Sequence, residues 1–315
     1  MISKREFAAD QLRRTASALF AMIALVAAGQ VAGAAATQKT FDTPEAAVKE
    51  LVAAARADDP KALLAVLGPD AKGIVSSGDA VADHASRERF VHAYDEANKL
   101  EASGDAKTIL AVGKDAWPMP IPIVKTSAGW RFDSKQGAEE ILNRRIGRNE
   151  LSVIQVAEAY VDAQKEYYLR NPTQDKLLHY AQRFGSTKGK KDGLYYPVGA
   201  GEQASPLGEL VAKAQAAGYK PGESPKPSAY YGYYYRILKA QGPDAPGGAY
   251  DYVVRGKMIG GFALVAYPAT YGNSGVMTFI VNQDGIVYEK DLGPKTAAIA
   301  SKMTKYNPDA TWKRN

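Results

Sequence analysis

Cysteine is absent from the chain, and histidine occurs three times in 315 residues. The first absence excludes disulfides, thiol nucleophiles, thiolate metal sites and a cysteine-linked lipid anchor. The second leaves few groups that titrate near neutrality. The sequence also lacks a Gly-x-Ser-x-Gly elbow, a His-Glu-x-x-His pair, a phosphate loop and a dinucleotide fingerprint. No catalytic residue, resident metal or cofactor is therefore expected. His84, Glu88 and His92 share one helix face. Two turns set the histidines about 12 Å apart along the axis, too far for one ion to take both. Charge of one sign is thin. The formal charge is +6, and Lys4, Arg5, Arg13 and Arg14 against Glu6 and Asp10 account for +2 of it. The tight basic run Lys188-Gly-Lys190-Lys191 lies in a Gly/Ser stretch and reads as a solvated loop, so nucleic acid is not an expected partner. Beyond residue 36 no apolar run approaches the length of a membrane span.

What is present is a globular composition, 46% hydrophobic and 23% charged, at a length suited to two domains. Residues 1–36 read as a secretory signal peptide. Lys4, Arg5, Arg13 and Arg14 form the basic start, Ala18 to Ala28 the apolar run, and Ala32-Gly33-Ala34 the small-residue cleavage pattern. The expected location is periplasmic or secreted, without stable membrane insertion after cleavage. The Arg13-Arg14 pair leaves the general and the twin-arginine export routes both open.

Residues 37–146 read as a first α+β domain. Thr43-Pro44-Glu45 opens a helix with an N-cap, a first-position proline and a favourable acid. Helices follow over 60–67 and 83–100. Strands are expected at 109–112 and 117–124, the second interrupted by Pro118, Pro120 and Pro122 and so placed at an edge. Gly129 to Asp133 is a further strand, and a last helix covers 135–146.

Residues 147–315 read as a second α+β domain. Its spine is a helix from Gly147 to Asn171, with Asn149 as N-cap and Leu151, Ile154, Val161 and Tyr168 as its apolar stripe. A long Gly-, Lys- and Pro-rich section follows, with a short helix at 207–216. Strands are expected at 230–238, 250–254, 261–267, 276–281 and 286–290, with short connections that imply antiparallel pairing. Asn282-Gln283-Asp284-Gly285 is a turn, and 294–305 a closing helix.

Several stretches carry a family resemblance: Gly232-Tyr-Tyr-Tyr-Arg236, Ala245 to Asp251, Gly256 to Pro268, Tyr271-Gly-Asn-Ser-Gly-Val-Met277 and Asp284 to Gly293. With Phe41-Asp-Thr-Pro44 they resemble an uncharacterised exported bacterial family, domain of unknown function 2950. The resemblance implies an extracytoplasmic protein and no particular activity. Helices followed by a hairpin ending at Gly129–Asp133 loosely resemble the cone-shaped fold of nuclear transport factor two. A long helix before an antiparallel meander is similar to the globular part of type IV pilins and pseudopilins. This chain departs from pilins because no apolar half-helix precedes its spine.

Tyrosine is the unusual residue. Eleven of 19 lie beyond residue 225, and those of 230–238 alternate onto both faces of a strand. Either the sheet is covered on both sides, or the rings form a recognition surface for an envelope protein or glycan. On the second reading Tyr231, Tyr233, Tyr271 and Asn273 are the expected contacts of a non-catalytic binding or envelope-assembly module. The alternative is an enzyme or small-molecule carrier with a first-domain pocket lined by Tyr94, Trp117 and Trp130, where Asp115 or His92 would supply acid–base chemistry.

Overall fold

The computed structural model describes residues 38–220 and 228–315. The expected signal peptide and most of the loop expected at 220–227 lie outside the described residues. Helix α1, Pro44–Arg56, starts as expected: the Thr43 hydroxyl accepts from the Ala46 N–H at 3.2 Å. Asp59 caps α2, Pro60–Leu67, by accepting from the Lys61 and Ala62 N–H groups at 2.9 and 3.1 Å. A 3-10 turn and the short α3, Lys72–Val75, lead to α4, Ala80–Glu96. The third helix was expected to reach Leu100. It stops at Glu96 because Ala97 is extended and the Asn98 side chain donates to the Tyr94 carbonyl at 3.1 Å. The next residues form strand β1, Asn98–Ala102, paired with β2, Lys107–Val112.

Proline shapes the rest of this sheet. The expected 117–124 strand divides into β3, Trp117–Pro118, and β4, Ile123–Thr126. Between them, Pro120 and Pro122 have no N–H to donate. With β5, Gly129–Phe132, the order is β1-β2-β4-β5, β3 lying on β2. Leu51, Val66, Leu110, Ile121 and Phe132 are at the centre of this first core.

Helix α5 is one continuous element of 33 residues, Ala138–Arg170, roughly 50 Å long at the usual rise per residue. The expected helices 135–146 and 147–171 are therefore a single helix. Asn149 lies inside it and is not a cap; its side chain donates to the Ser274 carbonyl at 2.8 Å instead. The true start is Gly137, at φ +105°, where an added Cβ would stand 2.2 Å from the Pro120 carbonyl oxygen. The end is as read: Asn171 takes a left-handed φ of 45° and Pro172 follows. The buried stripe is Val153, Val156, Ala157, Tyr160, Val161, Gln164 and Tyr167. Leu151, expected inside, is 65% exposed, because the stripe is set by Val153 and Tyr160 rather than by the leucine.

Helix α6, Gly208–Ala216, precedes the second sheet. Strand β6 begins at Tyr233, not Tyr230, and runs to Leu238. Tyr231 and Gly232 have φ of +50° and +74° and make a left-handed turn before it. The strands β11, Ala263–Pro268, β12, Met277–Asn282, β13, Tyr288–Asp291, and β15, Lys313–Arg314, complete an antiparallel order β15-β13-β12-β11-β6. The turn after β12 is closed by the Gly285 N–H donating to the Asn282 carbonyl at 3.0 Å. The expected 250–254 strand is divided between β8, Tyr250–Asp251, and β9, Val253–Val254, which join different small ladders. In these, β7, Ala240–Gln241, pairs with β8 and with β14, Lys305–Tyr306, while β10, Lys257–Met258, pairs with β9. The closing helix α7 spans only Thr296–Ala300. Arg236 ends it, its guanidinium donating to the carbonyls of Ala300 and Met303. The buried face of α5 packs on this sheet through Tyr160, Phe262 and Phe279. The fold class is α+β, and Gln38–Asn315 form one compact unit with two hydrophobic cores.

Candidate functional site

The site begins with two carboxylates at the start of α4. Asp79 caps the helix, one oxygen accepting from the Ala82 N–H at 3.1 Å. Its other oxygen accepts from the Tyr219 hydroxyl at 2.8 Å and the Gly232 N–H at 2.9 Å. Burial, with Asp79 alongside, pushes the Tyr219 hydroxyl well above its ordinary value. Asp79 thus fastens α4 to the turn before β6 and places Tyr231 beside the helix. Asp83, one turn on, is also buried and accepts the Ser77 N–H with both oxygens, at 3.2 and 2.9 Å.

Facing α4, Arg145, Arg148, Asn149 and Ser152 occupy i, i+3, i+4 and i+7 of α5 and so lie on one face. Arg145 is fixed. It donates to the Gly73 and Ile74 carbonyls at 2.5 Å each and to the Asn273 side-chain oxygen at 2.7 Å. Burial lowers its pKa, and Asp83 partly restores it. Among the described residues Arg148 has no such bonds. Its guanidinium is pushed below its ordinary value first by burial and then by the like charges of Arg89 and Arg144. Arg89, on α4, donates to the Ser86 hydroxyl at 2.9 Å. Among the described residues, Arg89, Arg145 and Arg148 form no ion pair.

These groups enclose a cleft of about 330 Å³, closed on its far side by Ala217, Tyr219 and Tyr231. Three guanidinium groups against the two engaged carboxylates, Asp79 and Asp83, leave a surplus of one positive charge about the cleft. Such a site attracts and holds an anion. The hydroxyls of Ser86 and Ser152 donate to the Ala82 and Arg148 carbonyls, at 2.8 and 2.9 Å.

Behind the arginines lies an apolar chamber of about 250 Å³. It shares Asp83, Ser86, Arg145 and Arg148 with the cleft. Its remaining wall includes Leu51, Leu63, Ile74, Phe90, Met119 and Ile141 from the first core.

The residues singled out in the sequence are distributed unevenly about these spaces. Tyr231 lines the cleft. Asn273 supports it, accepting from Arg145 and donating to the Ser76 carbonyl at 2.9 Å. Tyr271 lines neither space; its hydroxyl donates to Asp291 at 3.1 Å. Tyr233 corrects the expectation of a surface contact. It has no exposed surface, and its hydroxyl donates to the Met277 carbonyl at 3.0 Å. Its side chain points inward because β6 starts only after the Tyr231–Gly232 turn. Trp117 is 42% exposed, lines the apolar chamber and carries the Arg144 guanidinium 5.1 Å from its ring centre. Trp130 and Tyr94 pack against the first core without lining the chamber, so the three aromatics do not share it. Asp115 and His92 line neither space. His84 instead pairs with Asp58 and Glu88 on the surface.

The arginines were missed. Their signal is present as Arg144-Arg145-Ile-Gly-Arg148. It becomes legible only if the helix runs through Gly147, since a helix start at that point splits the group.

A family model described as Protein of unknown function (DUF2950) matches residues 38–315, and the chain belongs to that family. No curated protein and no solved structure matches the chain.

Proposed function

We propose that this chain is an exported, non-catalytic binding module that captures an anionic ligand between α4 and α5. The carrying observation is Arg148. It is partly desolvated, crowded by Arg89 and Arg144, and engaged by no carboxylate among the described residues. A cation held in that state gains from any anion that enters. Arg145, locked by three acceptors, gives the site a rigid floor, so little ordering cost accompanies binding. The leader in the sequence supports export, and an anionic group on an envelope protein, glycan or small metabolite is the ligand class. The two-part architecture is part of this proposal: the helices and proline-broken sheet support a portion like the nuclear transport factor two fold, and the helix against a meander supports a pilin-like portion. The carrier form of the alternative is favoured by one observation, the chamber that opens behind Arg145 and Arg148.

The test is thermal melting with inorganic phosphate at ionic strength held constant with chloride. Phosphate is expected to raise the melting temperature of the wild-type chain saturably, as a ligand of the native state does. In Arg89→Ala/Arg148→Ala the apparent affinity falls at least tenfold, while melting without phosphate stays close to wild type because neither side chain carries a structural ion pair. Equal phosphate shifts in both proteins would contradict the assignment.

A further inference from the structure

We propose that the arginine cleft and the apolar chamber are one bipartite site for a single-chain amphiphilic acid, its anionic head at Arg148 and Arg89 and its alkyl chain among the first-core side chains. This rests on the anion-binding reading and adds the class of ligand.

Three observations carry it. The two spaces are contiguous: Asp83, Ser86, Arg145 and Arg148 line both. The chamber is the more apolar of the two. Beyond the shared residues, the chamber's polar wall is Arg87, already engaged with Asp58 and with the Val75 carbonyl at 3.3 Å. The rest is Leu, Ile, Val, Ala, Phe, Met, Pro and Trp, which offer a ligand mainly apolar contact area. The space also has room for a ligand chain. It is open to solvent beside the half-exposed Trp117, and its volume of about 250 Å³ suits a medium-length chain. Asp83 keeps its charge at the junction, its oxygens accepting from the Ser77 N–H and its field partly offset by Arg145, so the head is placed toward Arg148 and Arg89. The surplus charge sits on Arg148 and Arg89. Another apolar cavity, about 380 Å³ around Val156, Tyr160 and Phe184, shares no lining residue with the cleft. A chain there would not be coupled to the arginines.

Calorimetric titration of the chain with acetate, decanoate, decyl phosphate and decanol tests the proposal. Each methylene moved from water into the chamber strengthens binding roughly fourfold. Decanoate is therefore expected to bind at least a hundredfold tighter than acetate. Decyl phosphate against decanoate decides which head the arginines favour. Arg148→Ala weakens both at least tenfold. Ala55→Leu, which fills the chamber from α1, weakens decanoate at least tenfold and leaves inorganic phosphate unchanged. Where that variant does not fold, Trp117 reports instead. Decanoate should change the fluorescence of the wild-type chain and not of Trp117→Phe; an unchanged wild-type spectrum at saturating decanoate would overturn the chamber as the chain's place. Decanoate binding no tighter than acetate, with phosphate still bound, would overturn the amphiphile and spare the anion cleft. Decanol binding as tightly as decanoate would overturn the shared site. Loss of phosphate binding as well would remove the anion reading itself.

Discussion

Gly147 sits about a third of the way along α5 with a helical backbone, and nothing lies within 4 Å of where a Cβ would stand. Alanine there adds no clash and removes glycine's excess unfolded-state freedom. Gly147→Ala is expected to stabilise the chain by about 0.5–1 kcal/mol in urea denaturation. An unchanged or lowered stability would mean that the helix is not continuous at this residue. Tyr233 and Tyr231, two residues apart, should behave in opposite ways. Tyr233→Ala removes a fully buried ring and its bond to Met277, so a loss of about 3–5 kcal/mol is expected. Tyr231→Ala alters the cleft wall, and the same denaturation curves should show a much smaller loss. At this scale the sequence was informative about residue type and poor about direction. Five tyrosines within 230–235 signalled burial on both faces of a strand. Which one pointed inward depended on where the left-handed turn ended.

The long helix carries both the correctly read and the misread parts of the fold. Its C-terminus was readable, because Asn171-Pro172 acts through local chemistry. Its N-terminus was not. Gly137 is fixed by the approach of Pro120, a contact that local sequence does not reveal. Gly147 and Asn149 supplied a false start whose chemistry was sound but unused. Beyond the end of α5, Asp175 gathers His179 at 2.7 Å, Thr173 at 2.9 Å and Lys257 at 2.5 Å, tying the loop after the helix to β10. The Lys257, His179 and Thr173 hydrogen bonds hold the Asp175 carboxyl well below the usual range. A depressed carboxylate stabilises the fold above its unfolded value near 3.8, and that contribution fades as pH falls toward the folded value. The stability gap between wild type and Asp175→Asn, read by urea melts, should therefore be wide at pH 6 and narrow at pH 2.5. A gap that widens on acidification would mean that Asp175 is not held in this way.

The molecule has two cores joined by one rigid helix and by Asp79, which binds α4 to the turn before β6. Because α5 contributes Ile141 to one core and Val153 and Tyr160 to the other, neither core can lose the helix alone. Unfolding in urea should then be a single transition, with fluorescence of Trp130 in the first core and Trp312 beside the second coinciding. Two separated midpoints would contradict it. The α+β class, the order of helices and strands and the antiparallel second sheet were legible because period, capping and turn residues act locally. The arginine cleft was not, because it is assembled by α4 crossing α5.

The binding proposal is tested most directly by the side-chain Nε–H resonances of the arginines during a phosphate titration at fixed ionic strength. Arg89 and Arg148 should move along a saturating curve, and Arg131 and Arg314, remote from the cleft lining, should stay in place. A uniform, non-saturating drift of all the arginines, or movement that leaves Arg89 and Arg148 unchanged, would contradict it.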